Sequence, residues 1–186
     1  MRNLKPKIIL LSILIALFAV YPRFASSQEV TPIDQVNVYK QVIHKATEKI
    51  KENDKDIEAY RVRGIAHYKL GELYRIVYSP VMTKEREEEI FDEFALAAKD
   101  FTSVIKLKKD YYTIYLYRGI CYGWMEFSES AMKDFDYVIE HDPKNAEAYY
   151  LRGKEHWRRK EKDQAKKDFD KACDLDPKYK GEYYRP

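Results

Sequence analysis

Cysteine is scarce in this chain: Cys121 and Cys173 are the only two. They are too few for a disulfide framework, and no Cys-x-x-Cys or Cys-x-x-x-His spacing occurs, which excludes zinc modules. Six glycines and seven prolines are too few for a collagen-like or Pro/Gly-rich disordered chain. Nucleophile-elbow, His-Glu-x-x-His, phosphate-loop and dinucleotide-binding fingerprints are absent. A charge of one sign is missing too. The formal net charge of +3 comes from residues 1–27, which hold Arg2, Lys5, Lys7 and Arg23 and no acid. Without those four, 30 basic residues face 31 acidic ones, a net of −1. Such a balance gives no bulk attraction to nucleic acid or anionic lipid. What is present is 45% apolar and 35% charged over 186 residues, which suits a core with a well-solvated surface.

One long apolar run exists, and it lies near the N-terminus. Met1–Lys7 is basic, and Ile8–Val20 is apolar apart from Ser12. Tyr21-Pro22 then breaks any helix, and Ala25-Ser26-Ser27 supplies small residues. This order predicts a signal peptide over residues 1–27, cut after Ser27. Thirteen residues fall short of the roughly 20 that a spanning helix needs. An uncleaved N-terminal membrane anchor is the alternative. After cleavage no membrane contact is expected, and the protein is exported, to the periplasm or medium if the source is bacterial.

Self-comparison reveals a repeat. Tyr115 and Tyr149, Gly119 and Gly153, Ala131 and Ala165, Phe135 and Phe169, and Pro143 and Pro177 are all 34 residues apart. Tyr60-x-x-Arg63-Gly64-x-x-His67 and Ala97-x-x-x-Phe101 form a third copy upstream. Gly64 and Gly119 are 55 residues apart, so 21 extra residues, about 72–92, interrupt that copy. Lys109 stands where the other copies carry Pro. The pattern resembles the tetratricopeptide repeat: a large aromatic, then Gly, Tyr, Ala-x-x-x-Phe and Pro at fixed offsets. Tyr replaces the first Trp here, and Arg replaces Leu before the Gly.

The resemblance implies an all-α fold, a short α-solenoid of antiparallel helix pairs. Three units are expected, 57–111, 112–145 and 146–179, within a repeat domain spanning 56–178. Gly and Ala sit where the helices of a pair cross closely. The proline ends each second helix because it cannot continue one. A capping helix is expected in 28–55, since Val38, Val42, Ile43, Ala46 and Ile50 recur at helical spacing. The interruption reads as a hairpin lengthened by two to three turns per helix, with Ser79-Pro80 as a turn or as the start of a new helix. It is either a contact arm or an elongation that packs on itself. The tail 179–186 is too short for a closing helix. The last face, around Ala172 and Leu175, is then bare and open to self-association, or covered by Tyr179, Tyr183 and Tyr184.

Arg63, Arg118 and Arg152 share one repeat position, and Asp100, Asp134 and Asp168 share another. Three such sets predict Arg–carboxylate bridges between the two helices of each unit; an Arg row that binds a ligand is the alternative. His67 and His156 fall where the family has Tyr, which argues for packing. His44 and His141 have no companion at ligand spacing. No enzyme activity, metal or cofactor is implied. The family's positions place Cys121 and Cys173 too far apart for a disulfide.

The family's concave groove positions carry over as Arg61, Ile65, Tyr68 and Lys69 from the first unit. The second unit supplies Leu116, Ile120 and Trp124, and the third Tyr150, Lys154, Trp157 and Arg158. The expected partner is a protein or peptide with acidic and apolar residues, not nucleic acid. The family's carboxylate-clamp subtype is excluded, because Ile65, Ile120 and Lys154 stand at its Asn sites. The resulting expectation is a protein-binding adaptor, with homo-oligomeric assembly through the bare last face as the alternative.

Overall fold

Polar caps at one set of positions and missing side chains at another determine where the helices begin and how closely they cross. The computed structural model describes residues 31–180. Among them are seven α-helices and no strand: α1 (Pro32–Glu52), α2 (Ile57–Tyr78), α3 (Lys84–Leu107), α4 (Tyr112–Trp124), α5 (Ser128–His141), α6 (Ala146–Arg158) and α7 (Lys162–Leu175). Short 3-10 turns cover Ser79–Val81 and Pro177–Tyr179. The leader, Tyr183 and Tyr184 lie outside the described residues. No helix among the described residues is long and apolar enough to cross a membrane.

Side-chain oxygens start several helices by accepting otherwise unpaired backbone N–H groups. Thr31 Oγ1 accepts from Asp34 N at 3.2 Å, and the Asp34 carboxylate accepts from Thr31 N at 3.1 Å, a reciprocal box. Asp56 accepts from Ala59 N at 2.9 Å, and Asn145 from Ala148 N at 3.0 Å. Between α2 and α3, Ser79 closes α2 and Pro80 lies in the 3-10 turn. Ser79-Pro80 is thus the turn, and the helix start falls four residues later, where Thr83 caps α3.

Helices α2–α3, α4–α5 and α6–α7 form three antiparallel pairs, stacked as an all-α solenoid. At each crossing a Phe ring occupies the space above a glycine. A Cβ built on Gly64, Gly119 or Gly153 would lie 2.8, 2.5 or 2.8 Å from the ring of Phe101, Phe135 or Phe169. Ala97, Ala131 and Ala165 are fully buried beside these crossings. The first pair crosses twice. Phe94 covers Gly71, where an added Cβ would lie 3.1 Å from the ring, seven residues after Gly64 on α2 and seven before Phe101 on α3. That second crossing holds the lengthened hairpin together: α2 and α3 have 22 and 24 residues, against 13 and 14 in the next pair. At its tip Tyr74 and Tyr78 stack at 5.1 Å, while Ile76 and Val81 face solvent.

The turns within the second and third pairs share one feature. Glu126 and Lys160, 34 residues apart, have φ of 63° and 64°. Each closes its first helix with the two reverse bonds of a left-handed cap, here Phe127 N to Tyr122 O at 2.9 Å and Glu161 N to His156 O at 2.9 Å.

At the N-terminal end α1 packs on α2 through Val36, Tyr39, Ile43 and the buried Ala46. Val38, expected on this face, is exposed. At the other end Tyr179 folds back and stacks on Tyr150 at 4.7 Å, and only 9% of it is exposed. The last face is therefore covered at this point, as the fold-back reading expects of Tyr179.

Candidate protein-interaction surface

The Arg and Asp positions meet in every unit. Arg63 grips Asp100 with two bonds of 2.8 and 2.7 Å, Arg118 grips Asp134 at 2.9 and 2.6 Å, and Arg152 grips Asp168 at 2.7 and 2.7 Å. The remaining terminal nitrogen of each Arg reaches the preceding element. It bonds Thr47 at 3.1 Å, Thr102 at 3.1 Å and Asp136 at 2.6 Å, respectively. Each Arg thus ties three helices: its own, its pair partner and the one before. All three guanidinium nitrogens of each Arg are engaged within the fold, the arrangement expected of a structural bridge. Hydrogen bonding to Asp100 raises the pKa of Arg63. Burial works against the charge of Arg118, but the bonds to Asp134 outweigh it and raise its pKa.

His67 and His156 sit within the fold rather than at an open site. Their Nδ1 atoms bond Glu93 at 2.7 Å and Glu161 at 2.5 Å. Among the described residues no cluster of His, Cys, Asp or Glu is arranged to hold a metal ion. Cys121 and Cys173 are free thiols. Cys121 is fully buried, and burial pushes its pKa well up.

The first helices α2, α4 and α6 carry the eleven residues assigned to the concave face, and the structure divides them. Tyr68 and Leu116 are 7% and 4% exposed, so they belong to the packing between units. The Tyr68 hydroxyl donates to Glu72 at 2.6 Å, and its ring meets Tyr117 edge-on at 5.4 Å. Tyr150 lies beneath Tyr179. Arg158 bonds the Gly123 carbonyl, Glu155 and, at 3.2 Å, Ser128, so it joins the second and third units. What stays open is Trp124 and Trp157, 41% and 40% exposed, together with the exposed Lys154. Ile65, Ile120, Lys69 and Arg61 are half-buried.

The expected excess of positive charge is largely cancelled. Arg61 bonds Glu58 at 2.7 Å, Lys69 bonds Glu72 at 2.8 Å, and Arg158 bonds the buried Glu155. Every one of these acids lies three residues from its base on the same helix, a spacing that brings side chains together. The spacing was readable in the sequence. The face is accordingly aromatic and aliphatic in character, not strongly basic.

One further group escaped the sequence. Arg75 lies 3.4 Å above the Trp124 ring, and Phe94 stacks on that ring at 6.0 Å. Arg75 lies in the extra segment that the other units lack, and Phe94 stands at the register position of Ser128 and Lys162, so no repeated identity points to either. A partly buried guanidinium on an indole face is a firm contact. It holds the Trp124 ring in place while leaving part of it open.

The family model described as Tetratricopeptide repeat matches residues 146–179. These residues are a tetratricopeptide repeat. Among solved structures, TTC0263, a thermophilic TPR protein in Thermus thermophilus, is 14% identical, with 93% of this chain and 86% of that chain covered and a TM-score of 0.59. YrrB, a TPR protein with an unusual peptide-binding site, is 18% identical over 80% of this chain and 82% of its own, with a TM-score of 0.46. MamA of Desulfovibrio magneticus RS-1, from position 41 to its end, is 14% identical over 80% and 98%, with a TM-score of 0.44. The likeness to TTC0263 shows a shared tetratricopeptide fold. No curated protein matches the sequence.

Proposed function

We propose that the protein is an exported adaptor that binds a protein or peptide on the face formed by α2, α4 and α6. The tetratricopeptide fold suggests protein–protein interaction or assembly. The observation that carries the reading is the pair of indoles left about 40% exposed on this face, Trp124 and Trp157. Trp is among the side chains that most often dominate binding energy, and a ring fixed before binding loses little freedom on contact. With Arg61, Lys69 and Arg158 already paired, the partner is recognised through apolar and aromatic side chains. Lys154 and Arg75, for which no carboxylate bond is seen among the described residues, add a secondary preference for acids. The basic-then-apolar order of residues 1–27 supports export.

Trp124→Ala combined with Trp157→Ala tests the face. The double variant should keep wild-type helicity and cooperative unfolding while losing partner capture from the source organism. Undiminished capture would refute the assignment. Mass spectrometry of the protein from its source tests export: a mature chain starting at Gln28 is expected, and a chain retaining residues 1–27 would refute cleavage. Self-association through the last face is disfavoured by Tyr179, which lies over Tyr150.

A further inference from the structure

A trough of about 570 Å³ runs along α3. Its α3 wall presents Phe91, Ala95, Ala98, Thr102 and Lys106, which recur at helical spacing along one face. From Phe91 to Lys106 that face is about 22 Å long at the rise of an α-helix. The end of α4 and the turn into α5 close the other side with Tyr122, Met125 and Phe127. Phe91 and Phe127 meet edge-on at 6.1 Å at the mouth, and both stay more than 40% exposed. The lining contains no acid, but it contains Lys99 and Lys106. Neither lysine pairs with a carboxylate among the described residues.

The repeat supplies an internal control. Shifted by 34 residues, Ala95, Met125 and Phe127 become Glu129, Arg159 and Glu161. Those three close the equivalent place in the next unit with ion pairs, Arg159 to Glu129 at 3.2 Å and to Glu161 at 2.9 Å. The repeat fold therefore does not require an open apolar trough here. One junction is sealed with charge, and the other is left apolar with a basic rim.

We propose that this trough docks an acidic amphipathic helix of a partner protein, separately from the indole face. Its apolar stripe would lie against the Phe91–Phe127 pair and along Ala95 and Ala98, with Asp or Glu side chains meeting Lys99 and Lys106. The walls are helices and a capped turn, whose N–H groups at Met125 and Phe127 are already paired with Cys121 O and Tyr122 O. An extended peptide would find no ladder for its own N–H and C=O groups there, whereas a helix brings its own bonds satisfied.

The probe is a fluorescein-labelled helical peptide of about 15 residues, matched to the trough length. It carries Leu at i, i+3, i+4 and i+7, flanked by Glu. Fluorescence anisotropy with the full chain should show saturable binding that weakens at least tenfold in Lys99→Glu/Lys106→Glu. Replacing the peptide's Glu by Lys should reverse that preference. Phe127→Glu, which installs the side chain the next unit carries at this place, should weaken binding by about as much without loss of helicity. Trp124→Ala/Trp157→Ala should leave it unchanged, so failure here is distinguishable from failure of the indole face. No saturable binding to the wild type, or equal binding by the charge-reversed variant, would overturn the proposal. Dimerisation in sedimentation that Phe127→Glu abolishes would assign the trough to a second copy and overturn it equally.

Discussion

Two glycines one turn apart on α4 should respond to the same substitution with opposite signs. A Cβ on Gly119 would stand 2.5 Å from Phe135 Cε1 and 3.0 and 3.1 Å from its next ring atoms. Normal contact therefore requires the ring to move by about 1 Å. Phe135 is 2% exposed and belongs to a packed cluster with Tyr115, Ala131 and Val138, so it has little room to yield. Overpacking of this kind costs about 1–3 kcal/mol, and Ala recovers up to about 1 kcal/mol of helix propensity over Gly. The expected net loss for Gly119→Ala is about 1–2 kcal/mol. A Cβ on Gly123 meets only Glu155 Oε2, at 3.5 Å, an ordinary contact. Gly123→Ala keeps the propensity gain and should stabilise by about 0.5 kcal/mol, less than the full value because the helix ends at the next residue. Urea unfolding monitored by circular dichroism measures both. With a slope of about 2 kcal/mol per molar, the midpoint should fall by about 0.5–1 M for Gly119→Ala and rise by about 0.2 M for Gly123→Ala. Midpoints moving in the same direction would refute the ring-over-glycine account of the crossings.

Other perturbations probe the turns, the bridges and the thiols. Glu126→Gly and Lys160→Gly remove a side chain from a left-handed backbone and should each stabilise by about 0.5–1 kcal/mol in the same urea assay; a loss would contradict the cap geometry. Arg118→Met leaves Asp134, whose side chain is 6% exposed, without its partner and should cost about 3 kcal/mol. Adding Asp134→Leu should return much of that loss, and strictly additive losses in the double-mutant cycle would deny the bridge. Native protein should show one thiol reacting readily with a disulfide reagent, Cys173, while the buried, pKa-raised Cys121 reacts only as fast as the fold opens. Equal rates for the two would contradict the packing around Cys121.

Much of the fold was legible because the repeat writes each crossing more than once. Gly, Ala, Phe, Arg and Asp recur at 34-residue spacing, and the positions they mark are those where the helices of a pair touch. The second crossing, Gly71 with Phe94, occurs once and had no copy to expose it. The third bond of each Arg was half visible: Thr102 and Asp136 are also 34 residues apart. They differ in chemistry, so identity alone did not join them. The interaction face was read less well, because register says which side of a helix a residue takes and not what covers it. Tyr68 and Leu116 lie on the expected side and are sealed by the neighbouring unit. Arg61, Lys69 and Arg158 are there too, but acids three residues away had already claimed them. Trp124 was found by register, whereas its supports, Arg75 in the extra segment and Phe94 at the register position of Ser128, have no identical copy.

Photo-crosslinking from single positions in the source organism tests the central claim most directly. A benzophenone side chain placed at Ile120, half-buried on α4 one turn before Trp124, should link to a discrete polypeptide. The same group at Lys133, exposed on α5, should not. Links from Lys133 alone, or none from Ile120 under conditions where the partner is captured, would contradict an adaptor that works through its first-helix face.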